Sequence, residues 1–199
     1  MKVIGLTGNI ASGKSEVSKI LSNLGAVVID MDNIGKDIQR KNKGGVMDKI
    51  ISTFGNKFIK NGRFDRRAFG NYVFSDKEAL SKLNEIMIPV MTEELKKILN
   101  DLSKEGIKVV VVDAAILFEA GWDKFADEVW VVYTPKALQL KRLRKRENIS
   151  EDEALIRIEA QMPIEEKIHR ADFVIDNSGD LATVEEQVLQ LWNRVKNSI

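Results

Sequence analysis

Short runs of β-branched residues alternate along the chain with longer stretches in which apolar positions recur every three or four residues. The runs read as strands at residues 2–6, 26–29, 108–113, 128–132 and 173–175. Between the first two, Val17, Ile20, Leu21 and Leu24 fall on one face of a helix that Gly25 closes. Near the end of the chain Val184, Val188, Leu191, Trp192 and Val195 repeat that spacing. Stripes of this kind pack a core and carry no function of their own. Strands separated by helices predict an α/β fold built on a parallel sheet.

Two stretches break the alternation. Residues 37–105 separate the second and third strands by far more than a crossover needs. They hold five of the eight Phe residues plus Tyr72, and turns are expected at Gly44-Gly45 and Asn61-Gly62. This segment reads as an inserted, helical substrate-binding subdomain. Residues 136–168 read as a charged helical pair broken near residues 148–150, where a mobile lid belongs. The remainder, residues 1–36, 106–135 and 169–199, forms the core of one domain.

Composition narrows the chemistry. A chain of 199 residues with 44% hydrophobic and 31% charged residues is long enough to bury a core and has the balance of a water-soluble protein. The formal net charge of +1 supplies no field that would recruit nucleic acid or an acidic membrane surface. With no cysteine, disulfides, thiolate metal sites and a cysteine nucleophile are excluded, and one histidine, His169, cannot build a His-rich metal site. The apolar stretch at the start is too short for a signal peptide, and no segment approaches a membrane span, so a cytoplasmic location is expected.

One motif organises the rest. Gly8-Asn9-Ile10-Ala11-Ser12-Gly13-Lys14-Ser15 matches GxxxxGK[ST], between an apolar strand and an amphipathic helix. The glycines let successive N–H groups face a phosphate chain at the positive end of the helix. Lys14 is placed to reach the β- and γ-phosphates, and the Ser15 hydroxyl to ligate Mg²⁺. The donor expected is ATP, held by residues 8–15.

Acids stand where a parallel sheet delivers side chains to its C-terminal edge. Asp113 ends a four-valine strand and is a candidate for holding magnesium; a polar strand end or helix cap is the plain alternative. Asp30 and Asp32 follow the second strand. Asp32 could accept the proton of an attacking hydroxyl, or could merely cap the helix containing Ile34 and Ile38. Residues 136–146 carry six basic side chains, and Gln139, Arg142 and Arg146 share a helix face. Beside a phosphate loop, such arginines suit neutralisation of a transferred phosphoryl group.

These residues, taken in order, resemble the dephospho-CoA kinase family nearly end to end. The resemblance runs through Gly5-Leu6-Thr7-Gly8, Asp30 and Asp32, Gly62-Arg63-Phe64-Asp65-Arg66, Val73-Phe74 and Leu117-Phe118-Glu119. It continues through Gln139, Arg142-Leu143, Arg146, Ala154, Arg157-Ile158, Gln161, Ala171-Asp172 and Asn177. Ile88-Pro89 stands where that family commonly has His-Pro. The resemblance implies a three-layer α/β/α phosphate-loop fold with a five-stranded parallel sheet, a CoA-side subdomain and a lid. It implies phosphorylation of the ribose 3′-hydroxyl of dephospho-CoA by ATP and Mg²⁺. Lys14, Asp32 as base, Arg142 and Arg146 become catalytic; Glu16 and Asn177 join the ATP site; Asp65, Arg66, Tyr72 and Glu119 join Asp32 at the acceptor site. A monomer or weak homo-oligomer is expected. Another phosphate-loop kinase for a nucleotide or small molecule, or a regulatory ATPase, are the alternatives the motifs leave open.

Overall fold

The computed structural model describes residues 1–60 and 62–198; Asn61, half of the expected Asn61-Gly62 turn, lies outside the described residues. The chain begins with β1 (Lys2–Thr7), α1 (Lys14–Asn23), β2 (Val27–Asp30) and α2 (Met31–Arg40). There follow α3 (Val46–Phe54), a small antiparallel ribbon of β3 (Ile59–Lys60) and β4 (Arg63–Phe64), α4 (Arg66–Ser75) and the long α5 (Lys77–Lys104). The second half runs β5 (Val109–Asp113), β6 (Glu128–Tyr133), α6 (Lys136–Glu147), α7 (Glu151–Glu159), α8 (Ile164–Arg170), β7 (Phe173–Asp176) and α9 (Leu181–Lys196). Each expected strand is present to within one residue of its expected limits.

Five strands form one parallel sheet in the order β2-β5-β1-β6-β7. Asp113 of β5 lies in register with Leu6 of β1 and with Asp30 of β2. The carboxyl ends of these three neighbours are therefore level. The chain leaves β1 toward β2 and later crosses to β6 on the other side, so strand order reverses beside β1. Open α/β sheets bind ligands at such a point.

Alternation along the valine strand explains the three layers. Val109 and Val111 face α1 and α9 together with Ile4, Leu6, Val17, Leu21, Val188 and Trp192. Val110 and Val112 face the opposite side, against Ile38, Met91 and Leu95 of α2 and α5. Residues buried on both faces read as an unbroken apolar run.

The structure departs from the sequence expectation in three places. The expected boundary at 36/37 falls inside α2, because Asp30 caps that helix directly after β2: its side chain accepts from the Asn33 N–H at 2.9 Å. The expected limit at 168 falls inside α8, a third helix that starts after Pro163 and buries Lys167. The aromatic residues of 37–105 mostly pack on one another instead of lining a cleft. Phe69 meets Phe54, Phe58 and Phe64 edge-on at centroid separations of 5.0–5.1 Å. The small ribbon and its helices need a core of their own, and these rings supply it.

Candidate active site

The loop after β1 is shaped by two glycines that no other residue could replace without movement. Gly13 has φ +92°, and a Cβ there would stand 1.9 Å from the Asn177 amide nitrogen. Gly8 runs so close to β6 that a Cβ would meet the Val132 carbonyl oxygen at 2.5 Å. Ala11 holds φ +61° despite its Cβ, a left-handed conformation costing about 1–2 kcal/mol. The inner turn is tied down by two donors to the Ser12 carbonyl, the Thr134 hydroxyl at 2.9 Å and the Asn177 amide at 2.7 Å. The loop ends at the first turn of α1, where Ser15 and Glu16 are exposed. Free N–H groups of a helix start attract anions.

Beneath this loop the Lys14 ammonium lies 2.7 Å from Asp113 Oδ1, with each side chain only 11% exposed. The other Asp113 oxygen accepts from Ser18, one turn along α1 from Lys14. Asp113 is thus neither a helix cap nor an idle strand end. Asp30 takes the capping role on α2, which leaves Asp32 in the first turn of that helix with no cap to make. The Asp32 side chain is open to solvent within the cleft, yet protein stands around it on several sides. That partial loss of hydration raises its carboxyl pKa above the ordinary 3.8; Lys14 opposes the rise, while Asp113 and Asp30 add to it.

Lys14 and Asp32 open into a cavity of about 710 Å³. Its polar floor is the loop of residues 9–16 with Asp32 and Lys36, and its far wall is apolar, with Phe74, Leu83, Met87, Ile88 and Met91 from α4 and α5. Arg142 and Arg146 close it from α6. Arg142 is anchored, donating to the Asn177 carbonyl at 3.2 Å and to the Thr134 hydroxyl at 3.4 Å. Arg146 is exposed and pairs with its neighbour Glu147 at 3.0 Å. Gln139, on the same face, is buried and donates to the Thr134 carbonyl at 2.6 Å. Glu119 lines the cavity too, but one of its oxygens is engaged by the Met162 N–H at 3.1 Å and by Lys167 at 2.9 Å.

Four expected site residues are not among those lining this cavity. Asp65 caps α4 through the Ala68 N–H at 2.9 Å and pairs with Lys60 at 3.0 Å; these contacts hold its carboxyl below the usual range. Arg66 borders a separate groove on the outer side of α2. Tyr72 belongs to the aromatic cluster, with Phe58 at 5.3 Å and the Lys57 ammonium 4.0 Å over its ring. Asn177 is buried behind the phosphate loop and supports its backbone. Motif spacing places these residues near the site in sequence order but cannot tell a wall from its scaffold.

The structure also adds residues that were given no role. Arg157 of α7 lines the cavity, donates to Asn71 of α4 at 2.8 Å and stands 3.6 Å from Glu147. Gln161 accepts from the Ile10 N–H at 2.7 Å. Ser18 had a sequence signal, its position four residues after Lys14. The contacts of Arg157 and Gln161 cross 86 and 151 residues of chain, so no local pattern announces them.

A phosphate-binding loop at the switch point of a five-stranded parallel sheet, with acids ending β2 and β5 and arginines above, defines a phosphate-loop kinase. The fold is shared by deoxyadenosine kinase from M. mycoides with bound dATP, with a TM-score of 0.55 at 16% identity over 97% of this chain and all of that one. The chain belongs to the dephospho-CoA kinase family, whose model matches residues 2–183. It is 46% identical over 197 residues to the dephospho-CoA kinase of Carboxydothermus hydrogenoformans, covering 98% of this chain and 95% of that one. It is also similar to the solved dephospho-CoA kinase from Campylobacter jejuni, with a TM-score of 0.71 and 32% identity over the full length of both.

Proposed function

We propose that this chain transfers the γ-phosphoryl group of ATP to the ribose 3′-hydroxyl of dephospho-CoA, giving CoA and ADP. The observation that carries the reading is that Asp32 and Lys14 line one cavity whose far wall, from α4 and α5, is apolar. A phosphate chain fits the polar floor, and a long acceptor with an apolar arm fits the wall of α4 and α5. Nothing comparable is needed by an enzyme that only hydrolyses ATP.

In this reading Asp32 orients the hydroxyl and takes its proton as the oxygen attacks the γ-phosphorus, while the bond from that phosphorus to the ADP oxygen breaks. Its raised pKa makes the carboxylate a stronger base toward that proton. Lys14 leaves Asp113 for the phosphates, and Arg142, Arg146 and Arg157 face the charge that spreads over the transferred group. Closure of residues 136–168 over the cavity excludes water as a competing acceptor.

A magnesium ion fits the groups present. The Ser15 hydroxyl and Asp32 line the cavity, Asp113 lies behind Lys14, and Mg²⁺ is usually held by one or two carboxylates plus substrate phosphates. Ser15 and Asp113 would hold it, and bound there it would neutralise developing charge on the β- and γ-phosphates. Among the described residues no three acids or histidines form a metal cage by themselves. The protein is read as a cytoplasmic monomer or weak homo-oligomer; among the described residues no helix is long and apolar enough to cross a membrane.

The test is ADP release from ATP and Mg²⁺ with dephospho-CoA, with a panel of nucleoside monophosphates, and with no acceptor, followed by mass analysis. One added phosphate on dephospho-CoA, lost in Asp32→Asn, is expected. Turnover of another acceptor alone would reassign the substrate, and acceptor-independent hydrolysis alone would make the protein an ATPase.

A further inference from the structure

Lys167 in α8 is fully buried, a rare state for an ammonium group. It donates to the Ala115 carbonyl at 2.6 Å and lies 2.9 Å from Glu119 Oε1, and burial lowers its pKa. Glu119 Oε1 is shared, because the Met162 N–H also points at it from 3.1 Å. Residues 160–163 join α7 to α8, so this buried pair grips the joint on which the α6–α7 arm is hung.

The same joint grips the phosphate loop. Gln161 Oε1 accepts the Ile10 N–H at 2.7 Å, and the Met162 carbonyl accepts from the Asn9 amide at 3.4 Å. Ile10 and Ala11 pack against Leu143, Ala154 and Ile158 of that arm. The loop therefore has two independent supports. Its inner turn hangs on Thr134 and Asn177, and its outer turn on the joint and, behind it, on Lys167 and Glu119. A buried ion pair adds little stability over well-packed apolar residues, but it holds its partners in one direction.

We propose that Gln161 and Lys167 are positioning residues for phosphoryl transfer. Lys167, through Glu119, fixes the backbone of the joint, and Gln161 transmits that position to the outer turn of the phosphate loop. The joint and the outer turn of the loop are thus held together as one unit. The proposal rests on residues 8–15 being the ATP cradle.

The test compares Gln161→Leu, Lys167→Met and the double variant with the parent. Melting temperature, calorimetric ATP binding, and kcat and KM for dephospho-CoA are measured together. Gln161→Leu should melt close to the parent, bind ATP at least about fivefold more weakly, and lose at least about tenfold in kcat with an unchanged acceptor KM. The double variant should lose no more kcat than the worse single, because both act through one link. Unchanged ATP affinity and kcat in Gln161→Leu, or losses in the double variant that multiply, would overturn the proposal. If Lys167→Met does not fold, Gln161→Leu decides alone. A parent that ignores dephospho-CoA would fail the functional reading only, since ATP binding still reports on the loop.

Discussion

Lys14 Nζ lies 2.7 Å from Asp113 Oδ1, the end of one strand's loop against the end of the next strand. The contact joins residues 99 apart in sequence, and it exists because β1 and β5 are neighbours with level ends. It holds the ammonium at the cavity floor, where in the proposed reaction it would turn to a phosphate chain. Removing one member of a buried pair strands the other. Asp113→Asn should therefore lower turnover by about 10²-fold or more, a loss comparable with removing a preorganised transition-state group. It should also raise the magnesium concentration needed for half-maximal rate. A titration of rate against Mg²⁺ for parent and variant reads both effects.

Asp32→Asn should separate activity from stability. Loss of the proton acceptor is expected to cost about 10²–10⁴-fold in kcat. Because folding raises the Asp32 pKa, the folded chain holds its ionised form less readily than the unfolded chain does. At neutral pH the parent carries that penalty and the Asn variant does not, so the variant should be the more stable. The advantage should fade as pH falls through the raised pKa and vanish below the ordinary 3.8, where Asp32 is protonated in both states. Urea midpoints at several pH values test the sign.

The two arginines of α6 that line the cavity should not behave alike. Arg146 is exposed and, among the described residues, its ion pair is with Glu147, so Arg146→Ala should lower kcat by about tenfold or more and leave ATP binding and melting nearly unchanged. Arg142 is bonded to Thr134 and to the carbonyl of Asn177, which itself supports the loop. Arg142→Ala should lower kcat and weaken ATP binding together. Calorimetry beside steady-state kinetics distinguishes them.

Tyr72 and Met91 offer a test of the acceptor wall. Tyr72 packs within the aromatic cluster, so Tyr72→Phe should shift stability by less than about 0.5 kcal/mol and leave the acceptor KM unchanged. Met91 lines the cavity beside Gly35, where its methyl would lie 3.2 Å from an added Cβ. Met91→Ala should raise the KM for dephospho-CoA while costing about 2–5 kcal/mol of stability. An acceptor KM that responds to Tyr72→Phe and ignores Met91→Ala would move the acceptor to the other side of α4.

Gly13→Ala should remove ATP binding by distorting the loop. The left-handed φ and the encounter with the Asn177 amide together make it costly, by about 2–4 kcal/mol. Pairing it with Asn177→Gly should recover only the part due to the clash, measured by melting temperature.

The sequence by itself determined the strands, the helix stripes and the phosphate loop, because each is written in neighbouring residues. Alternation and helical spacing are local consequences of backbone geometry, and GxxxxGK[ST] folds on its own strand and helix. It also supplied Asp32 and Asp113 as candidates, since residues at or just past a strand's end emerge at the sheet edge. Tertiary structure alone decided which candidates meet. Sheet order brought Lys14 to Asp113, and the capping by Asp30 released Asp32. The fold sent Tyr72, Asp65 and Arg66 away from the cavity and drew in Arg157, Gln161 and Lys167. Those contacts cross tens to hundreds of residues, and a side chain's spacing along the chain says nothing about which distant backbone it will reach.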